Sequence, residues 1–108
     1  MQTEVITLDE DSFTQTLEST TTPLVVDFWA AWCEPCRAMA PVFERLAEEY
    51  AERARFAKVN VDASGALARR FNVRAIPTVL VLRLGTIVSS TVGAQTAARL
   101  RQIVDAAL

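Results

Sequence analysis

The chain has 108 residues, 51% of them apolar, with 13 acidic against 11 basic residues and a formal charge of −2. That size fits one domain, residues 1–108, and the acidic balance without a polybasic run argues against a nucleic-acid surface. Two cysteines and no histidine can build neither a disulfide-stapled mini-protein nor a mixed Cys/His zinc site, and they exclude the usual Cys-His and Ser-His catalytic pairs.

Met1 to Ser12 carries Glu4, Asp9, Glu10 and Asp11 and no basic residue, so it lacks the positive start and apolar stretch of a secretory leader. The longest apolar run, Leu24 to Cys33, is interrupted by Asp27 and is too short to cross a bilayer. The chain as given reads as soluble and cytosolic.

Val5 to Leu8 is a strand candidate. Asp9, Glu10 and Asp11 then sit where carboxylates favour a helix start, and Phe13 and Leu17 supply one apolar face before Thr20 to Pro23 stop the helix. Leu24 to Ala30, rich in β-branched and aromatic residues, reads as a central strand. The period then changes: Cys36, Met39, Ala40, Phe43, Leu46, Ala47 and Tyr50 mark one face of a long helix that Pro41 is expected to kink.

Phe56 to Val61 is the next strand, and Ser64 is placed to cap a short helix carrying Leu67 and Phe71. Pro77 to Arg83 and Thr86 to Val92 form a hairpin across Leu84-Gly85, where Gly85 is expected to absorb the turn's awkward dihedral. Gln95 to Leu108 closes the chain as a helix with Ala97, Leu100, Ile103, Val104 and Ala107 on its inner face. The order β-α-β-α-β-α-β-β-α predicts an α/β fold. Three parallel strands plus an antiparallel hairpin form a mixed sheet, with four helices on its two faces.

Cys33 falls where the strand ends and the long helix begins. Unpaired backbone N–H groups and the positive end of the helix dipole favour a thiolate there. Cys36 lies one turn further in, on the buried face. The spacing predicts that Cys33 attacks a substrate disulfide and that Cys36 resolves the mixed disulfide. Half of a zinc site and two inert buried thiols are the competing readings. No second Cys pair or histidine exists to complete zinc, and Pro35 suits a first helical turn. Asp27, the odd member of an apolar strand, shares a face with Val25 and Trp29. It is either a solvent-facing carboxylate on an edge strand or a buried one with a raised pKa. Lys58, between apolar residues, reads by itself as an ordinary solvated strand lysine.

Val25-Val26-Asp27-Phe28-Trp29-Ala30-Ala31-Trp32-Cys33-Glu34-Pro35-Cys36 closely resembles the active-site segment of the thioredoxin family. Pro41, Phe56 to Asp62, Val73 to Thr78 and Gly85 with Gly93-Ala94 match in order and spacing, so the resemblance covers essentially the whole chain. It implies a thioredoxin fold and a protein-disulfide reductase, a general dithiol–disulfide oxidoreductase whose redox group is its own Cys33–Cys36 disulfide, with no other cofactor and no metal. It implies that Asp27 exchanges the proton of Cys36, through a water where the two do not touch, and that Lys58 pairs with Asp27 across neighbouring strands. It implies a cis Ile76-Pro77 bond beside the dithiol, with the backbone of Ala75 and Ile76 open to an extended substrate segment. Trp32, Val61, Ala75, Ile76, Pro77, Gly93 and Ala94 match the family's docking surface, whereas Trp29 reads as core. Implied partners are disulfide-containing proteins and an NADPH-dependent thioredoxin reductase, with no nucleic acid, no membrane and a monomeric state.

Two departures stand out. Glu34 occupies a position the family usually gives to glycine. It suits a first helical turn but opposes a thiolate at Cys33, which makes the pair more reducing. Ala75 also replaces a frequent glycine, narrowing the docking groove. Two other functions stay open at this point. A binding subunit would use the Trp32–Ile76–Gly93 surface without redox chemistry. An oxidase or isomerase more often places histidine between its cysteines.

Overall fold

A computed structural model describes residues 5–108; Glu4 and the rest of positions 1–4, on which part of the leader reading rests, lie outside the described residues. The elements are β1 (Val5–Thr7), α1 (Glu10–Ser19), β2 (Leu24–Trp29), α2 (Glu34–Glu49), β3 (Arg55–Asn60), α3 (Gly65–Arg70), β4 (Thr78–Arg83), β5 (Thr86–Val92) and α4 (Ala97–Ala107). The sheet order is β1-β3-β2-β4-β5. β1, β3 and β2 run parallel through helical crossovers, and β4 and β5 add the antiparallel portion. This is the expected mixed sheet, with strand ends differing from the sequence reading by about one residue.

Strand alternation sorts the core into two layers. Val25, Phe56, Val79 and Val81 pack beneath α2 and α4 with Met39, Phe43, Leu46, Leu100 and Val104. Leu24, Val26, Phe28, Val59, Leu80 and Leu82 face α1 and α3 with Phe13 and Leu67. Each such fully buried side chain contributes about 1.5–3 kcal/mol from leaving water. β2 is central, so Asp27 is not an edge carboxylate: it sits in the layer beneath α2, 4% exposed.

Four local details extend or depart from the sequence reading. Asp9 caps α1 in a reciprocal box, its carboxylate accepting from the Ser12 N–H and the Ser12 hydroxyl accepting from the Asp9 N–H. Ser64 occupies the N-cap position of α3, but its side chain makes no capping bond: its backbone (φ −128°, ψ 54°) is not the extended conformation that presents a capping hydroxyl. At the hairpin, Gly85 does not absorb the turn alone; Leu84 takes φ 51° beside Gly85 at φ 83°, as a two-residue turn matched to strand twist demands of both positions. Pro41 lies within α2 without ending it, because the loss of one backbone donor is outweighed by the packing of Met39, Phe43 and Leu46.

Candidate redox site

β2 stops at Trp29, and a short turn hands the chain to α2. Its closure is fixed by the Cys33 N–H donating to the Ala30 carbonyl (3.1 Å) and the Val61 N–H to the Trp29 carbonyl (2.9 Å). Cys33 is the N-cap of α2, with Glu34 and Pro35 opening the helix. Its Sγ accepts the backbone N–H of Cys36 at 3.2 Å. The place a Ser or Asp hydroxyl or carboxylate fills at an ordinary helix start is here filled by a sulfur. Cys33 and Cys36 form a disulfide, with Cα atoms 5.2 Å apart. Cys33 keeps 5% of its surface and Cys36 2%, so Cys33 is the more reachable of two well-covered sulfurs. No group of three or more Cys, Asp or Glu side chains that could hold a metal occurs among the described residues.

On one side of the dithiol stands the loop before β4. The Ile76–Pro77 bond is cis, and the Ile76 carbonyl oxygen lies 3.8 Å from Cys33 Sγ. Trp32, Val61, Ala75 and Ile76 line a groove of about 210 Å³ together with Val73 and Arg74. Trp32 is 67% exposed, and its indole N–H donates to the Asp62 carboxylate at 2.8 Å. Asp62 is itself held by a turn in which Asn60 Oδ1 accepts its N–H. Gly93 and Ala94 do not line this groove. Gly93 reaches the site through its N–H, which donates to the Pro77 carbonyl at 2.8 Å. Its φ of 93° and the open space around it show that it is a glycine for its dihedral.

On the other side, under α2, lies a cleft of about 230 Å³ lined by Asp27, Trp29, Cys36, Arg37, Glu44 and Lys58 with apolar neighbours. Asp27 and Lys58 are register partners on β2 and β3. The Lys58 ammonium lies over the Trp29 ring, 5.2 Å from its centroid, while Asp27 Oδ1 has no hydrogen-bond partner among the described residues. Lys58 therefore neighbours Asp27 through its field rather than through a hydrogen bond to that oxygen. Burial pushes the Asp27 carboxyl up to about 7, and the positive charge of Lys58 opposes the rise. The sequence reading placed Trp29 in the core. It is half-buried, lines this cleft with Asp27 and Cys36, and its Nε1 is buried without a hydrogen-bond partner among the described residues. The signal was present in the two-residue spacing that puts Asp27 and Trp29 on one strand face. The Asp62 anchor of Trp32 was also missed; it follows only from the turn after β3.

Fold and site together define a small α/β redox protein whose reactive group is a Cys-x-x-Cys disulfide at a helix N-terminus. The Thioredoxin family model matches residues 4–106. The chain is 37% identical over 108 residues to a thioredoxin of Acidithiobacillus ferridurans, covering 100% of both chains. It is 36% identical over 105 residues to thioredoxin C-2 of Corynebacterium nephridii, covering 97% of each. It is 40% identical over 91 residues to a thioredoxin of Haemophilus influenzae, covering 84% of this chain and 85% of that one. The chain belongs to the thioredoxin family. Its redox group is the Cys33–Cys36 disulfide itself.

Proposed function

We propose that this protein reduces disulfides in other proteins, with Cys33 as the attacking thiolate and Cys36 as the resolving thiol. The observation that carries the assignment is the Cys36 N–H directed at Cys33 Sγ, 3.2 Å away, at the start of a 16-residue helix. A hydrogen bond to a charged acceptor contributes about 1.5–3 kcal/mol, and a helix N-terminus about 0.3–1 kcal/mol more for a negative charge. Both favour the thiolate of Cys33 in the reduced protein.

The Cys33 thiolate attacks one sulfur of the substrate disulfide. That S–S bond breaks, the other substrate sulfur leaves as a thiolate and takes a proton, and a Cys33–substrate mixed disulfide remains. Cys36 then gives its proton to the Asp27 carboxylate, through water in the cleft they share, and its thiolate attacks Cys33 Sγ. The mixed disulfide breaks, the second substrate thiolate leaves and is protonated, and the Cys33–Cys36 disulfide is formed. Two electrons and two protons have passed from the protein dithiol to the substrate. A carboxyl with a pKa near 7 both accepts and returns a proton at neutral pH, which is what a step run in either direction requires.

The groove along Trp32, Val61, Ala75 and Ile76 is the surface on which we place the substrate, with the cis Ile76–Pro77 corner beside the sulfur it must reach and the backbone of Ala75 and Ile76 available to an extended segment. The Gly93 N–H, donating to the Pro77 carbonyl, holds that corner, and Ala94 is the next residue in the chain. Electrons return to the disulfide from an NADPH-dependent thioredoxin reductase, and the protein works as a monomer in the cytoplasm. A dithiol that must be re-reduced suits that reducing compartment. The test is insulin reduction with NADPH and a bacterial thioredoxin reductase: turnover that Cys33→Ser abolishes is expected, and turnover that survives Cys33→Ser/Cys36→Ser refutes the reading.

A further inference from the structure

Two buried polar atoms lack a hydrogen-bond partner among the described residues, and they are complementary: Asp27 Oδ1 accepts and Trp29 Nε1–H donates. Their residues lie two apart on β2, so they share a face, and both line the cleft under α2 that Cys36 also lines. An unpaired buried donor or acceptor costs about 1–3 kcal/mol, and the cleft, mostly apolar but lined by the residues of both orphaned atoms, has room at about 230 Å³ for water at about 30 Å³ per molecule.

We propose that Trp29 is a positioning residue for proton transfer: its indole N–H anchors the water that connects Asp27 with Cys36. This rests on the reading of Asp27 as the proton acceptor of Cys36. The water receives a hydrogen bond from Trp29, which leaves its own hydrogens to point at Asp27 and a lone pair to receive the Cys36 proton. As Cys36 loses its proton to this water, the water passes one on to the Asp27 carboxylate, so charge and atoms balance and only the carboxyl ends protonated. The indole cannot turn to accept instead, so it fixes the direction of the relay. The other charged groups at the cleft leave this task to Trp29. Lys58, from β3, rests on the indole face. Arg37, from α2, donates from Nη1 to the Ala31 carbonyl at 3.1 Å. Glu44, also from α2, brings no fixed donor. Val79, opposite Asp27 on β4, and Val5 on β1 are uncharged.

The reduced protein is mixed with excess 5,5′-dithiobis(2-nitrobenzoate) in a stopped-flow instrument from pH 6 to 9. The first release of nitrothiobenzoate reports Cys33, and the second, independent of reagent concentration, reports Cys36. Trp29→Phe keeps a ring for Lys58 to rest on and removes the donor together with the indole's second ring, so the Asp27 midpoint and the Asp27→Asn background, rather than the rate alone, isolate the donor's part. It is expected to slow the second phase about 3- to 10-fold above pH 7 with the first phase unchanged, and to move the Asp27 midpoint, followed by its carboxyl ¹³C resonance, to higher pH. In the Asp27→Asn background, Trp29→Phe is expected to add no further slowing. An unshifted Asp27 midpoint, or equal slowing in both backgrounds, overturns the role of Trp29. A second phase that Asp27→Asn leaves unchanged at every pH overturns instead the reading of Asp27 on which the inference rests.

Discussion

The Cys36 backbone N–H and the Cys33 sulfur are 3.2 Å apart, so the residue that resolves the intermediate also supplies the dipole that charges the nucleophile. The two roles are linked by one turn of helix. Alkylation of the fully reduced protein with iodoacetamide is expected to show one thiol reacting with a pH midpoint about one unit or more below the 8.5 of a free cysteine. Peptide mapping is expected to place the label on Cys33. Two thiols titrating together near 8.5 would remove the helix N-terminus from the chemistry.

Asp27 ties stability to pH. In the folded chain its carboxyl holds a proton up to about 7, against about 3.9 when unfolded. Between those values the unfolded chain binds fewer protons, so stability falls as pH rises through the window and the full cost applies above it. Three pKa units set a ceiling of about 4 kcal/mol. Asp27→Asn, which still buries an amide, is expected to be about 1–3 kcal/mol more stable than the native chain at pH 8, with the gain shrinking towards pH 4. Urea unfolding at both pH values checks this; a gain equal at both would mean that the carboxyl is not the cause.

The same substitution is expected to slow insulin reduction more at pH 8 than at pH 6. Below 7 the native carboxyl is already neutral and no better a base than the amide. Equal activity across pH would take Asp27 out of the reaction.

Glu34 is the first residue of α2 and is exposed, one position from the N-cap sulfur. Its negative charge is compatible with the helix dipole but works against a thiolate at Cys33. Through a largely aqueous path at about 7 Å the repulsion is roughly 1 kcal/mol or less. Glu34→Gly is expected to lower the Cys33 pKa by up to about half a unit and to make the pair less reducing. Equilibration of both proteins in one glutathione buffer measures the difference, and a native protein more oxidising than the variant would reverse the sign of the argument.

Leu84 is 76% exposed and held at φ 51°, where a branched side chain meets its own carbonyl. Leu84→Asn, with a residue that visits this region readily, is expected to stabilise the fold by about 1 kcal/mol without altering reductase activity. Thermal unfolding reads the first and insulin turnover the second. A loss of stability would mean that Leu84 packs against something the turn geometry does not reveal.

Much of this was legible in the chain because local pattern and global fold agree. The period change after Trp32 marked the start of α2, and the proline in its first turn fixed where Cys33 would stand. The alternation through Leu24 to Trp29 put Asp27 on the face of Val25, although only the position of β2 between β3 and β4 decided that this face is buried. Other features depend on distance relations that no local pattern carries. The bond from Trp32 to Asp62 joins a loop after β2 to one after β3. The placement of Lys58 over Trp29, rather than on Asp27, depends on side-chain reach. The positive φ of Leu84 was obscured because a leucine there pays for the turn against its own preference.

In the proposed reaction Cys33 attacks and Cys36 resolves. Incubating reduced Cys36→Ser with insulin, without added thiol, and weighing the products by non-reducing mass spectrometry tests it most directly. A stable adduct of this protein with an insulin chain, linked through Cys33, is expected, and no such adduct from Cys33→Ser under the same conditions. Adducts formed equally by both variants, or only by Cys33→Ser, would contradict it.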